Sequence, residues 1–198
     1  MTAHTTTGLN PEQQRAVRHT AGPLLIFAGA GSGKTRVIVH RVAHLVDQGV
    51  NPSRILCLTF TNKAAGEMKH RLQMLIGHGD IPVWAGTFHS FGARFLRHEA
   101  HRIGYPNAFA IYDEADQRSL IGKCMKELGI VHEKGKDGRI SWLINMSKDT
   151  VRAVSEIPVD LTFDPGPVVR LYEERKKASG AFDFADLISV PSTMLSTM

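Results

Sequence analysis

The chain has 198 residues, 42% hydrophobic and 22% charged, with 24 Lys and Arg against 19 Asp and Glu for a net charge of +5. That composition is ordinary for a globular protein with one large or two small domains, and its basic balance admits a polyanionic partner without requiring one. Two cysteines, Cys57 and Cys124, are too few for a disulfide framework, and no stretch nears the ~20 apolar residues of a membrane helix, so a soluble cytoplasmic protein is expected.

Residues 1–8 are polar and read as a frayed end. Leu9-Asn10-Pro11-Glu12-Gln13 reads as a helix start, with Asn10 as N-cap, Pro11 at the first helical position and Gln13 at capping-box spacing. The basic Arg15 and Arg18 before the apolar Leu24–Ala28 imitate a signal peptide, but the run is shorter than the ~7–15 residues of its apolar region. A strand over about 24–28 explains the run better. It feeds Ala28-Gly29-Ala30-Gly31-Ser32-Gly33-Lys34-Thr35, which fits the phosphate-loop pattern G-x-x-x-x-G-K-[ST] except that Ala28 replaces the first Gly. Small residues let backbone N–H groups turn toward phosphate oxygens, and Ala meets that need. Lys34 would reach the β- and γ-phosphates of a nucleoside triphosphate, and the Thr35 hydroxyl would bind Mg²⁺. An amphipathic helix follows, with Val37, Ile38, Val42, Leu45 and Val46 as its apolar stripe, ending at Gly49.

A second strand is predicted at Ile55–Phe60. After it come a helix at about Asn62–Ile76, with Ala64, Ala65, Met68, Leu72 and Leu75 inward, a short third strand at Val83–Gly86, and a helix ending near Gly104. This alternation argues for a parallel sheet covered by helices. Ligands of such sheets bind beyond the carboxyl ends of the strands, where the phosphate loop, Thr59–Asn62 and Thr87–His89 fall. Phe60, Thr61, Asn62 and Lys63 combine a stacking ring with hydroxyl, amide and ammonium donors, a set suited to single-stranded nucleic acid. Thr87, Phe88 and His89 follow the same logic. The plain alternative puts Phe60 in the core and makes Asn62 a helix N-cap.

Beyond Tyr112 helical patterns run at about 113–128, 140–149 and 166–178, with a basic loop at Lys134–Arg139 between the first two. The predicted organisation is a sheet domain over 1–111, an all-helical insert over 112–179, and a return to the sheet from 180, where Phe182–Ile188 starts a helix that gives out in a polar tail. His98-Glu99-Ala100-His101 is one residue short of the zinc motif H-E-x-x-H and reads as a surface helix face, with no transition metal expected. Asp113-Glu114-Ala115-Asp116 imitates a Mg²⁺-binding acidic motif. The reading taken is that Asp113 caps a helix.

Taken together, Leu9–Gln13, the phosphate loop, Thr59–Ala65, Gly86–Ser90 and Phe182–Leu187 resemble, in order and spacing, the N-terminal part of UvrD/PcrA/Rep-type superfamily 1 DNA helicases. The resemblance covers about residues 9–188. It implies a RecA-like P-loop NTPase domain with a helical insert, using ATP and Mg²⁺, with single-stranded DNA and duplex junctions as partners and 3′-to-5′ helicase activity. It implies that Gln13 reads adenine, with Gln14 as the fallback, that Arg36 stacks on the base, and that the Mg²⁺ carboxylates of the family come after the Phe-Asp-Phe segment. The acidic strand and second lobe of the family are not expected in this sequence, so efficient hydrolysis by the chain alone is not expected either. A P-loop kinase for a small metabolite, or a non-catalytic ATP- and DNA-binding remnant, are the alternatives.

Overall fold

The computed structural model describes residues 6–29, 31–77, 83–131 and 135–197. Ala30, the first five residues and Lys134, all part of the readings above, lie outside them. The chain divides into two compact units, Met1–Thr87 and Phe88–Met198.

In the first unit α1 (Pro11–Arg18) begins with the expected capping box: the Asn10 side chain accepts from Gln13 N and the Gln13 side chain accepts from Asn10 N. α2 (Lys34–Asp47) starts at the phosphate loop, with Gly33 at φ 85° as its N-cap, a left-handed conformation that favours glycine. Next come β1 (Leu56–Thr59), α3 (Asn62–Ile76) and β2 (Trp84–Thr87), and β1 pairs in parallel with β2 in the register Leu56↔Trp84 to Thr59↔Thr87. Val39 and Val42 of α2, Cys57, Met68, Leu72, Val83 and Ala85 form one core. Leu9, Val17 and Val37 form another where α1 meets α2.

Three expectations change here. The predicted stripe of α2 shifts, because the helix packs on both α1 and α3: Val37, Val39, His40, Val42 and Ala43 are buried while Ile38 is exposed. The N-cap of α3 is Thr61, whose hydroxyl accepts from Ala64 N at 3.1 Å, and Asn62 is the first helical residue. Residues 24–28 form no strand; Leu25 and Phe27 are 76% and 90% exposed. A strand needs a neighbour to satisfy its ladder, and among the described residues nothing pairs with this segment.

The second unit opens with α4 (Phe88–Glu99) and a 3₁₀ turn (Ala100–Ile103), followed by β3 (Ala110–Tyr112). The helices α5 (Glu114–Glu127), α6 (Lys136–Thr150) and α7 (Gly166–Ala178) come next, then β4 (Ala181–Asp183) and α8 (Asp186–Ser196). β3 and β4 pair in parallel, so α5–α7 are strung between two adjacent strands and share a core of Ile121, Met125, Ile140, Ile144, Val168 and Tyr172. As read from sequence, Asp113 caps α5, in a reciprocal box with Asp116.

The tail is the main surprise of this unit: residues expected to give out form α8. Its Leu187 and Met194 join Leu96, Ala100, Phe109 and Phe182 in a second core. Gly92 allows this approach, since a Cβ there would sit 1.6 Å from the Leu187 carbonyl oxygen. Burial of that face outweighs the interior Pro191 and the Ser/Thr-rich composition, both of which argue against a helix locally.

Candidate nucleotide and nucleic-acid site

The phosphate loop hangs at the N-terminus of α2, where the first N–H groups have no partner within the helix and the helix dipole favours an anion. Gly31 and Gly33 both take left-handed φ, and Cβ atoms at Gly29 and Gly31 would meet nothing within 4 Å. Lys34 Nζ curls back to donate to the carbonyls of Ala28 (2.9 Å) and Gly29 (2.7 Å). Ser32 Oγ donates to Gly29 O at 2.7 Å, and Thr35 is half-buried in the first turn of α2. An ammonium, two hydroxyls and a helix N-terminus make a donor set that fits a triphosphate and its Mg²⁺.

Gln13 is the link between α1 and this loop. Its Nε2 donates to Ser32 O at 3.1 Å while its Oε1 accepts from Asn10 N, so both ends of the amide are in use. Gln14 turns away, donating to Leu9 O. Arg36 lies against Gly8, where a Cβ would come 2.7 Å from its Nη2. Gln13, Ser32, Gly33 and Arg36 therefore form one neighbourhood, although they were singled out in sequence for separate reasons.

Of the predicted nucleic-acid residues, Phe60 and Thr61 link β1 to α3, and Asn62 and Lys63 open α3. Phe60 is 91% exposed, which removes it from the core. Thr59 Oγ1 donates to Thr61 O and shapes this turn. Thr87 is buried at the end of β2. Phe88 and His89 are exposed at the start of α4, in the second unit, where the His89 ring meets Phe184 edge-on at 6.0 Å. Phe184, 52% exposed, was quoted in a motif but given no role in the sequence reading.

Sequence reasoning missed a buried ionic cluster next to Phe184. Lys176, with no exposed surface, donates to Asp183 (2.9 Å) and Asp186 (2.5 Å). Lys148 bridges the same two carboxylates, and Tyr172 donates its hydroxyl to Asp183 at 2.8 Å. Burial alone would lower the Lys176 pKa, but Asp186, Asp183 and Glu173 reverse this and hold it above the ordinary range. Burial would raise Asp183, yet Lys148 and Lys176 outweigh it and hold the carboxyl well below the usual range. Asp186 is pushed up, chiefly by burial, which its two lysines only partly offset. The available signal was the D-x-x-D spacing of Asp183 and Asp186, which repeats the Asp113/Asp116 box: each aspartate accepts from the other's backbone N–H.

Burial raises the pKa of Cys57, and likewise that of Cys124, which makes them poor nucleophiles. His98 and His101 are exposed, and among the described residues no group of three or more His, Cys, Asp or Glu is placed to hold a metal ion. No helix among them is long and apolar enough to cross a membrane.

Comparison with known proteins gives this geometry its family. The model of the UvrD/REP helicase N-terminal domain matches residues 9–197. The chain belongs to the UvrD/REP helicase N-terminal family. The ATP-dependent DNA helicase PcrA of Staphylococcus aureus (strain NCTC 8325) is 44% identical over 185 residues, covering 91% of this chain and 25% of that protein. The PcrA helicase of Staphylococcus epidermidis (strain ATCC 12228) matches at the same identity and coverage. The chain thus spans about a quarter of the length of the curated relatives it matches. In this UvrD/REP-family chain the matched segment includes both units, from the capping box of α1 to the end of α8.

Proposed function

We propose that the chain is the ATP-binding, single-strand-contacting part of a 3′-to-5′ DNA helicase built on a RecA-like domain with a helical insert. One observation carries the reading: a glycine-rich loop on the N-terminus of α2, with Lys34 bonded to two of its carbonyls and Gln13 to a third. Residues Ala28–Thr35 hold the phosphates, with Ala30 assigned from sequence alone. Lys34 leaves its two carbonyls to neutralise the β- and γ-phosphates, and Thr35 presents its hydroxyl to Mg²⁺. Gln13 and Arg36 meet the base, the first through the second amide N–H and carbonyl lone pair that its bonds to Ser32 and Asn10 leave over, the second by stacking. When bound, Mg·ATP supplies the phosphoanhydride whose cleavage would drive movement on DNA.

Phe60, Thr61, Asn62, Lys63, Thr87, Phe88 and His89 are proposed to contact single-stranded DNA, with the exposed Phe60 ring as a stacking platform. The names of the PcrA relatives as ATP-dependent DNA helicases support this reading. Turnover by this chain alone is proposed to be slow. Among the described acidic residues of Met1–Thr87, Glu12 pairs with Arg15, Glu67 pairs with Arg71, and Asp47 lies at the far end of α2 from the loop. Calorimetric titration with Mg·ATP, with and without oligothymidylate, tests the reading: saturable ATP binding and salt-sensitive DNA binding are expected, and absence of ATP binding would overturn it.

A further inference from the structure

The turn from β4 into α8 carries one exposed ring among buried neighbours. Phe184 is half-exposed, while Asp183, Ala185 and Asp186 around it are buried. Asp183 N donates to Asp186 Oδ2 and Asp186 N to Asp183 Oδ1, both at 3.0 Å, so the turn is closed at each end. Leu187 N donates to Phe184 O at 3.2 Å. The ring presented in this way meets that of His89, exposed in the first turn of α4, edge-on at 6.0 Å.

Helices strung between β3 and β4 tie this turn to the rest of the unit. Lys148 of α6 reaches Asp183 Oδ2 and Asp186 Oδ1, each at 2.7 Å, and Glu173 at 2.8 Å. Tyr172 of α7 donates its hydroxyl to Asp183 at 2.8 Å, and Lys176 of the same helix binds both aspartates. Apolar side chains of similar volume would join these elements at least as firmly, because buried charges lose their hydration. Charged groups add direction. Each lysine fixes where a carboxylate oxygen stands, and the carboxylates fix the turn that bears Phe184.

We propose that Lys148 is a positioning residue for single-strand binding, acting through the Asp183–Asp186 turn to hold the Phe184 ring against His89. The proposal rests on the reading of His89 as a single-strand contact and adds to it a residue from α6, far from His89 in the chain. A ring pair already in place need not be ordered when a base arrives, so less affinity is lost to immobilisation. Lys148 is singled out over the fully buried Lys176 because its loss leaves Lys176 on both carboxylates. The turn then stays paired but loses its tie to α6.

The affinity of the full chain for fluorescein-labelled oligothymidylate, read by anisotropy at fixed salt, tests this in a double-mutant cycle. Lys148→Met should bind about three- to tenfold more weakly than the parent, the range expected when one side chain must be ordered on binding. In a Phe184→Ala background the same substitution should change affinity by less than about twofold. A loss of equal size in both backgrounds would overturn the proposal, since a missing charge or a loosened fold acts whether or not the ring is there. Equal binding by the parent and Lys148→Met would overturn it alone and leave the single-strand reading standing. Tyr172→Phe takes one hydroxyl from Asp183 and no charge, and should repeat the pattern with a loss of about twofold or more. No loss in that variant, or a loss that persists without the Phe184 ring, contradicts the proposal even where Lys148→Met does not fold. No binding by the parent would remove the single-strand reading, and this proposal with it.

Discussion

The two aspartate-rich helix starts of the second unit share one local design and differ in everything around it. At Asp113/Asp116 the reciprocal box sits at the surface, where it ends in a cap and nothing more. At Asp183/Asp186 the same box is buried and meets two lysines and a tyrosine from α6 and α7. Local sequence thus sets the backbone turn, while the surroundings decide whether its carboxylates face water or hold three elements together. A buried pair is also fragile in a way that an exposed cap is not, because removing one partner strands the other charge.

The largest expected effect comes from breaking the buried member. Lys176→Met leaves Asp183 and Asp186 with Lys148 alone and should cost the second unit about 3–5 kcal/mol in chemical denaturation. Asp113→Ala removes only the exposed cap and should cost about 1 kcal/mol. Equal losses would mean that the ionic cluster contributes no more than a helix cap. Between these, Gly92→Ala drives a Cβ into the Leu187 carbonyl and should cost about 1–3 kcal/mol or more by forcing α8 from α4. A neutral result would show that α8 does not pack as described.

pH sharpens the same contrast. Lys176 and Lys148 are held above their ordinary range by the aspartates, so their contribution is fully present below the ordinary ammonium value of about 10.4 and is lost as pH rises through the raised values. Asp183 is depressed, so its contribution is present above the ordinary carboxylate value of about 3.9 and is lost as pH falls through the lowered one. Asp186 is raised, chiefly by burial, and works the other way, its contribution being lost as pH rises through the raised value, which makes the acid flank shallow. Denaturation midpoints should therefore hold level from neutral pH to about 10 and fall above it, and the alkaline fall should shrink in Lys176→Met. The smallest stability effect belongs to the exposed run before the phosphate loop: Leu25→Ser should change stability by no more than about 0.5 kcal/mol while improving solubility.

What could be read from the chain alone follows the range of the forces involved. The capping box at Asn10, the cap at Asp113 and the helix over 62–76 rest on neighbours within four residues, and all are visible in sequence. The glycine loop was legible because its chemistry requires particular residue types at fixed spacing. The strand expected at 24–28 was not recoverable in this way, since an apolar run becomes a strand only beside a partner. α8 was hidden by Pro191 and its hydroxyl residues, and only contact with α4 through Gly92 reveals why it forms. The link from Gln13 to Ser32 and the Lys148–Lys176 cluster join residues far apart in the chain; no local pattern announces the first, and the D-x-x-D spacing marks only the carboxylate half of the second.

Lys34 carries the central claim, because it alone joins the sequence motif, the loop geometry and the proposed chemistry. Its side chain is exposed and bonded to two loop carbonyls, so Lys34→Ala should leave the fold unchanged by circular dichroism. Calorimetric titration of this variant with Mg·ATP should show binding abolished while Phe60→Ala binds ATP as the parent does. ATP binding as tight in Lys34→Ala as in the parent chain would contradict the account.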